Sequence, residues 1–254
     1  MRILGISGSL RRDSHNSRLL AATAALLPEG VELVLFDQLD AIPPFNEDDE
    51  HEPPPAVAAL KDAIARADAV LIATPEYNAS IPGVLKNALD WVSRPLASTP
   101  LTGKPAAVIG ASTSLFGAVW AQAELRKVLS TIGARVVDRE LPIPQADEAL
   151  GADGLPLERD ALESLSATLD ELRELADGRR AAAALGRRRA PRLRSARVRA
   201  AAHSPVAAGG ASLGGASPSG AYTLGASKEI AQLALSVLRG LARRLRCLRA
   251  RATE

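Results

Sequence analysis

The sequence predicts an α/β fold, a three-layer sandwich with a five-stranded parallel sheet, followed by a largely disordered basic C-terminal tail. Strand and helix signals alternate strictly along residues 1–177, and most of the strands are continuous apolar runs. Strict alternation favours parallel strands joined by helical crossovers, and continuous apolar runs favour strands that are buried on both faces. The tail is predicted from an abrupt change in charge and composition near residue 178.

The predicted strands and helices share simple signatures. The strands are short and rich in Val, Ile, Leu and Ala, and they cover residues 3–7, 31–36, 69–74, 106–110 and 135–137. The helices cover residues 17–27, 55–67, 84–94, 118–132 and 157–175. In the last helix, Leu162, Leu165 and Leu169 recur at helical spacing, which predicts one buried face. Proline clusters, including the one at 142–144, predict loops.

Charge divides the chain into two predicted regions. Residues 1–177 contain 15 Lys and Arg against 27 Asp and Glu, a net charge of −12, whereas residues 178–254 carry +14. We therefore expect a folded domain at 1–177 and a basic low-complexity tail at 178–254. Residues 178–221 hold too little apolar surface to offset chain entropy, which predicts disorder. Residues 227–247 could form one helix with an apolar face and an arginine-rich face.

Three interpretations of the tail remain open. Clustered arginine attracts nucleic acid or an anionic membrane. The helix at 227–247 could instead lie on a membrane or pack on a partner. The tail could also lack a selected function, because its Ala, Arg, Gly, Pro and Ser bias resembles an out-of-frame translation of GC-rich DNA.

Several classes of protein are disfavoured by composition. The single cysteine, Cys247, provides neither a disulfide framework nor a metal-thiolate cluster. No apolar run is long enough to span a membrane, and a core strand begins at residue 2, so we expect a soluble cytoplasmic protein. The acidic run at 47–52 is interpreted as a solvated loop, and no metal site is predicted.

A phosphate-binding segment follows the first strand, in the sequence Gly8-Ser-Leu-Arg-Arg-Asp-Ser-His-Asn-Ser17. Small residues let backbone N–H groups approach a ligand, and the N-terminus of the next helix favours an anion. Side-chain donors are Ser9, Ser14, Asn16 and Ser17, and Arg11 adds positive charge. The alternative is that Ser14 or Asn16 only caps the helix.

Two further segments follow the third and fourth strands. Pro75-Glu-Tyr-Asn78 continues into Ser80-Ile-Pro-Gly-Val-Leu-Lys-Asn-Ala-Leu-Asp-Trp-Val92, and Gly110-Ala-Ser-Thr113 precedes a helix containing Ala121-Gln-Ala-Glu-Leu-Arg126. Together with segment 8–17, these motifs closely resemble the NADPH-dependent FMN reductase family, which includes bacterial quinone, chromate and azo reductases. The resemblance covers residues 1–177 and none of the tail.

The resemblance implies a flavodoxin-like fold and an FMN-dependent NAD(P)H oxidoreductase. It implies hydride transfer from NADPH or NADH through FMN to a quinone or similar small-molecule electron acceptor, in a homodimer or homotetramer. No catalytic side chain is expected, since the cofactor carries the chemistry. The alternative is a flavodoxin-like electron carrier or flavin-binding module without NAD(P)H turnover.

The resemblance also assigns roles to individual residues. The phosphate would be held by Ser9, Arg11, Ser14, Asn16 and Ser17. The isoalloxazine ring would be lined by Pro75, Glu76, Tyr77 and Asn78, largely through backbone groups, and Ser112 would approach the ring or the ribityl chain.

The chain departs from the family pattern at two places. Residues 114–118 read Ser-Leu-Phe-Gly-Ala where a glycine-rich stretch is common, which could narrow the nicotinamide or quinone site. Trp120 stands where a basic residue is common, which could alter substrate or subunit contacts. For Tyr77 we favour a flavin contact over a core position, and for Trp91 a core or subunit contact over flavin stacking.

Overall fold

The computed structural model describes residues 1–189 of the chain. The centre of the fold is a parallel sheet. The strands are β1 (Arg2–Ser7), β2 (Glu32–Phe36), β3 (Ala69–Ala73), β4 (Pro105–Ala111), β5 (Arg135–Val136) and β6 (Pro142–Ile143). The α-helices are α1 (His15–Ala22), α2 (Pro55–Arg66), α3 (Gly83–Val92), α4 (Val119–Ile132), α5 (Ala146–Ala149) and α6 (Arg159–Arg189). All five predicted strands and all five predicted helices are present, so the predicted α/β sandwich is confirmed.

The strand order places three strand ends side by side. The sheet runs β2-β1-β3-β4-β5, with all pairs parallel. Ser7 at the end of β1 pairs with Ala73 of β3, and Ala73 pairs with Ile109 of β4. We call the edge where these strands end the carboxyl edge. The chain reverses its direction of travel across the sheet between β1 and β3, which opens a crevice at that edge.

The strand β6 was not predicted, because its first residue, Pro142, reads as a loop signal. It pairs with β4 at Gly110 and Ala111, whereas β5 pairs with the opposite end of β4. Two short strands therefore share one position beside β4. Proline is tolerated there because it begins an edge strand, where its missing N–H interrupts no ladder.

The hydrophobic core lies on both faces of the sheet. Successive strand residues point to opposite faces, so Leu4 and Val70 pack with α2, α3 and α4, while Ile3 and Leu71 pack with α1 and α6. Both β3 and β4 are buried along their whole length. This double cover explains why the strands read as continuous apolar runs.

A buried cation lies at the opposite edge of the sheet, next to the start of β4. The Lys104 side chain is 1 % exposed, and its ammonium donates to the carbonyl groups of Ala65 and Ala67 at the end of α2. Burial, together with repulsion from Arg179, lowers the pKa of Lys104 to about 8, although attraction to Asp68 opposes both effects. The ammonium thus binds the helix end that carries partial negative charge.

The prediction of disorder from residue 178 is wrong for residues 178–189, which continue α6 to Arg189. The predicted boundary at 177/178 therefore falls inside a helix, in which Ala176 is the last buried residue up to residue 184, where the description of side chains ends. The prediction considered only apolar burial. Alanine and arginine are strong helix formers, and extending an existing helix avoids the cost of nucleation. The rest of the tail, including the predicted helix at 227–247, lies outside the described residues.

Two sequence-based exclusions concern residues 1–189. Among these residues, no helix has the length and apolar character needed to cross a membrane. The same part of the chain contains no group of three or more His, Cys, Asp or Glu residues placed to hold a metal ion. The acidic run at 47–52 forms an exposed turn, with a 3-10 helix at Glu47–Asp49.

Candidate functional site

Three loops converge at the carboxyl edge. The first loop (residues 8–14) follows β1, the second loop (74–82) follows β3, and the third loop (112–118) follows β4. Each loop leads into a helix, namely α1, α3 and α4 respectively. The sheet register therefore brings together the three segments that the sequence singled out, although they are far apart in the chain.

The serines of the first loop form a local hydrogen-bond network. Ser14 caps α1, because its Oγ accepts from the backbone N–H of Ser17 at 3.2 Å. The Oγ of Ser9 accepts from the N–H of Arg11 at 3.3 Å, and the hydroxyl groups of Ser7 and Ser17 lie 2.7 Å apart. A serine hydroxyl that accepts from a backbone N–H still has its own hydrogen to donate. Ser9 and Ser14 thus combine a structural contact with a free donor.

Asn16 is committed to the protein itself. Its side chain is 3 % exposed; Nδ2 donates to the carbonyl oxygen of Ala111 at 2.8 Å, and Oδ1 accepts from the Ala111 N–H at 2.9 Å. This two-point contact joins the start of α1 to the end of β4. Asn16 therefore does not cap α1, and its side chain instead connects the first loop to the third.

Other groups in the first loop fit an anionic ligand. The backbone N–H groups of His15 and Asn16 lie in the first turn of α1, where no intrahelical acceptor exists, and neither has an acceptor in the described chain. The Nδ1 atom of His15 is buried without a hydrogen-bond partner among the described residues. Arg11 is exposed and forms no ion pair within residues 1–189. Unused donors and an unpaired cation at a helix N-terminus fit a phosphate group.

The first and second loops touch directly. The Gly8 N–H donates to the carbonyl oxygen of Ala73 at 2.8 Å. A Cβ atom at Gly8 would lie 2.9 Å from Cδ2 of Leu85 and 3.5 Å from the ring of Pro75. A side chain at this position would therefore have to displace the end of the Leu85 side chain, and glycine avoids this.

The second loop makes a tight turn around two left-handed residues. Tyr77 and Ser80 exchange two backbone hydrogen bonds, of 3.0 and 3.1 Å, across Asn78 (φ 53°) and Ala79 (φ 58°). The N–H groups of Asn78 and Ala79 have no acceptor among residues 1–189. Pro75 is buried, whereas Tyr77 is 50 % exposed and is not a core residue. The turn thus presents two backbone donors beside an exposed aromatic ring.

Glu76 joins the second loop to α4. Its Oε2 accepts from the N–H groups of Trp120 and Ala121 at 3.0 and 3.1 Å. The residue before α4, Ala118, offers no side-chain cap and has a left-handed backbone. Glu76 therefore supplies the acceptor, and its negative charge favours the helix N-terminus. This contact was missed from the sequence because the partners are 44 residues apart.

The third loop is anchored from below by β6 and α4. Ser112 donates its N–H to the Ile143 carbonyl at 3.0 Å, and its Oγ accepts from the Ser114 N–H at 3.1 Å. Gly117 (φ 60°) presses against β6, where a Cβ would lie 2.5 Å from the Ile143 nitrogen. The buried Gln122 donates to the carbonyl groups of both Gly117 and Leu141 at 3.0 Å. Gln122 lies inside one of the sequence motifs but was not predicted to hold this loop, although a glutamine on an apolar helix face is a detectable signal.

Two side chains of α3 bind other groups of the protein. Trp91 is fully buried, packs edge-on against Phe45 and donates to the Pro43 carbonyl, as expected for a core residue. Lys86 forms an ion pair of 2.7 Å with Asp90, one helical turn further along.

A cavity of about 300 Å³ lies on the β2 side of the first loop. Ser7, Ser9 and Ser17 line it together with two carboxylates, Asp37 and Asp40. These carboxylates were not predicted from the sequence. Their negative charge disfavours a phosphate directly beside them, so the α1 N-terminus is the better anion site.

Comparisons with known proteins agree with this geometry. The family described as NADPH-dependent FMN reductase matches residues 1–148. An NAD(P)H-dependent FMN reductase of Pseudomonas aeruginosa is 44 % identical over 174 residues, which cover 68 % of this chain and 93 % of that protein. A 2-hydroxy-1,4-benzoquinone reductase of Burkholderia sp. is 38 % identical over 172 residues, covering 67 % of this chain and 93 % of that protein.

A solved structure gives the same result in three dimensions. The flavoenzyme NAD(P)H:(acceptor) oxidoreductase FerB of Paracoccus denitrificans superposes with a TM-score of 0.61 at 36 % identity. The match covers 70 % of this chain and 97 % of that one.

Proposed function

Because this chain belongs to the NADPH-dependent FMN reductase family, we propose that it carries reducing equivalents from NADPH or NADH through FMN to a quinone or similar small acceptor. With a quinone, the reaction balances as NAD(P)H + quinone + H⁺ → NAD(P)⁺ + hydroquinone. One observation carries this proposal: the three loops with unused donors meet at the carboxyl edge. The same edge is where doubly wound sheets bind their ligands.

The first loop is proposed to bind the FMN phosphate. Ser9 and Ser14 have hydroxyl hydrogens to donate, the first turn of α1 adds two backbone donors, and Arg11 adds charge. Ser17 adds a further hydroxyl group, which is hydrogen-bonded to the hydroxyl of Ser7. For Asn16 we propose a positioning role, since its side chain already binds both backbone groups of Ala111.

The second and third loops are proposed to bind the flavin ring. The free N–H groups of Asn78 and Ala79 would face the ring's polar edge, and Tyr77 would shield the ring from water. Buried Pro75 supports the turn, and Ser112 would approach the ribityl chain. Glu76 is proposed to orient these loops through α4 instead of touching the ligand, because its carboxylate is occupied. When bound there, FMN would supply the redox chemistry, the two-electron transfer from the nicotinamide to the acceptor.

An anaerobic titration tests the proposed function. The purified full chain, loaded with FMN, is titrated with NADPH and NADH while the flavin absorbance is followed. Bleaching by either nucleotide, reversed by 1,4-benzoquinone, is the expected result. Flavin that bleaches with dithionite but with neither nucleotide would indicate the electron-carrier alternative. Failure to bind FMN at all would refute the proposed site.

A pair of neighbouring arginines provides a matched test of the phosphate site. Arg11 and Arg12 are both exposed, carry the same charge and lie in the same loop. We expect Arg11→Ala to weaken FMN binding, measured by quenching of flavin fluorescence, and Arg12→Ala to have a smaller effect. Equal effects would mean that only the net charge of the loop matters.

We also propose that the protein acts in the cytoplasm as a homodimer or homotetramer. A groove of about 350 Å³ between α3 and α4, lined in part by Leu96, Val128 and Ile132, supports a contact between copies. Light scattering after size-exclusion chromatography tests this, and a monomer at all concentrations would contradict it.

A further inference from the structure

Large exposed apolar side chains are concentrated at the carboxyl edge. Seven such residues occur in the described part of the chain, and four of them lie in the three loops. These four are Leu10, Tyr77, Leu115 and Phe116. Leu115 is 65 % exposed and Phe116 is 37 % exposed. Exposed apolar groups clustered around a site indicate a surface that binds an apolar partner.

The backbone below these two side chains is fixed. Gln145 donates its N–H to the Ser114 carbonyl at 3.1 Å, and the N–H of Val119 binds the Phe116 carbonyl at 3.2 Å. Gly117, the next residue, is pressed against β6 and held by Gln122. Leu115 and Phe116 therefore project from a loop whose ends and base are both tied down.

The Phe116 ring is oriented by Trp120. The two ring centroids are 4.7 Å apart and the planes are inclined by 57°, which is a favourable aromatic geometry. The backbone N–H of Trp120 in turn donates to the Glu76 carboxylate in the second loop. This bond fixes the backbone that carries the aromatic pair relative to the turn that contains Tyr77.

The third loop also lacks charge. No acidic or basic residue occurs between Lys104 and Glu124. The carboxylate that approaches this stretch, on Glu76, is already used by α4. An anionic acceptor would therefore find no cation on this wall, whereas a planar uncharged ring would find apolar carbon.

We propose that Leu115 and Phe116 form an apolar wall of the acceptor site and select planar, uncharged aromatic acceptors over anionic ones. Phe116 is a specificity-determining residue, and Trp120 is a positioning residue that orients it. The inference rests on the proposed reductase function and adds the chemical class of acceptor.

Acceptor kinetics of the FMN-loaded full chain test the wall. Phe116→Ala is expected to lower kcat/KM for 1,4-naphthoquinone about three- to tenfold, the size of one lost aromatic contact, mainly through KM. In the same variant, kcat/KM for ferricyanide, an anionic acceptor, should change by less than about twofold, because ferricyanide does not contact the Phe116 ring. Phe116→Tyr keeps the ring and should restore the naphthoquinone value. Leu157→Ala, at an exposed leucine just before α6 and outside the three loops, is the matched control and should change neither acceptor.

Equal losses for both acceptors in Phe116→Ala, or no loss for naphthoquinone, would overturn the inference. Neither outcome touches the proposed function, which fails if the protein does not bind FMN or if NAD(P)H does not bleach the bound flavin.

A binding measurement without turnover gives a second readout. Of the two tryptophans, Trp91 is fully buried and Trp120 lies beside Phe116. Naphthoquinone added without NAD(P)H should quench tryptophan fluorescence saturably in the wild type. The midpoint should move to higher concentration in Phe116→Ala, and Trp120→Phe should lose most of the saturable signal. A midpoint that is the same in wild type and Phe116→Ala would contradict the wall.

Discussion

Replacing Asn16 with alanine tests whether the first and third loops are held together by one side chain. The substitution removes two hydrogen bonds, of 2.8 and 2.9 Å, and leaves the N–H and carbonyl groups of the buried Ala111 without partners. Each neutral bond contributes about 1 kcal/mol net, and an unsatisfied buried group costs about 1–3 kcal/mol. We therefore expect the free energy of unfolding to fall by about 2–4 kcal/mol, allowing for partial access of water.

Urea denaturation of the FMN-free protein measures this loss, with the slope of the unfolding free energy expected to stay constant. Asn46→Ala is the matched control, since Asn46 is exposed; its Oδ1 accepts from the Asp48 N–H at 3.2 Å and its Nδ2 donates to the Asp49 carboxylate at 3.1 Å. The control should lose less than about 1 kcal/mol, as for a surface cap. The Kd for FMN should rise only in Asn16→Ala. Equal stability losses in the two variants would refute the reasoning.

Three further predictions concern the second loop and the buried lysine. Glu76→Ala should lower the unfolding free energy by about 1–2 kcal/mol in urea, and Glu76→Gln, which keeps a neutral acceptor, should lower it less; equal losses would contradict a role for the charge. Ala79→Gly should raise the unfolding free energy by about 1 kcal/mol, because a left-handed backbone is strained for alanine; a lower melting temperature would contradict this. For Lys104, the pKa is about 8 in the folded protein and 10.5 in the unfolded chain. Between pH 8 and pH 10.5 the unfolded chain therefore binds more protons than the folded protein. The free energy of unfolding should rise by about 3 kcal/mol as the pH increases through this range. Lys104→Met should abolish this rise in pH-dependent denaturation, and an unchanged rise would assign it to another group.

The sequence predicts most of the layered fold because its signals are local. An apolar run such as 69–74 reports burial on both faces of the sheet, and the order of such runs determines which loops share an edge. The strand β6 was not predicted because two residues beginning with proline carry no strand signal of their own. The extension of α6 beyond residue 177 was not predicted because helix propagation depends on the helix that precedes it.

The segments that form the candidate site were predictable from the sequence, but the hydrogen bonds between them were not. The segments around Ser9, Tyr77 and Ser112 were identified, and the sheet brings them together. The actual partners of Asn16 and Glu76 were not identified, because side-chain contacts over 95 and 44 residues depend on the finished packing. Both residues belong to family motifs, yet the structure gives each a contact within the protein.

The ties between the three loops have a kinetic consequence. Gly8 binds the end of β3, Asn16 binds the end of β4 and Glu76 binds α4, and each of these contacts joins two groups of the protein without needing a ligand atom. Little loop ordering then remains to be done when FMN arrives, so little entropy is lost on binding. Loading should be a single second-order step whose rate rises linearly with FMN concentration, without a plateau from slow loop closure. The protein should therefore exchange its cofactor reversibly and survive repeated stripping and reloading.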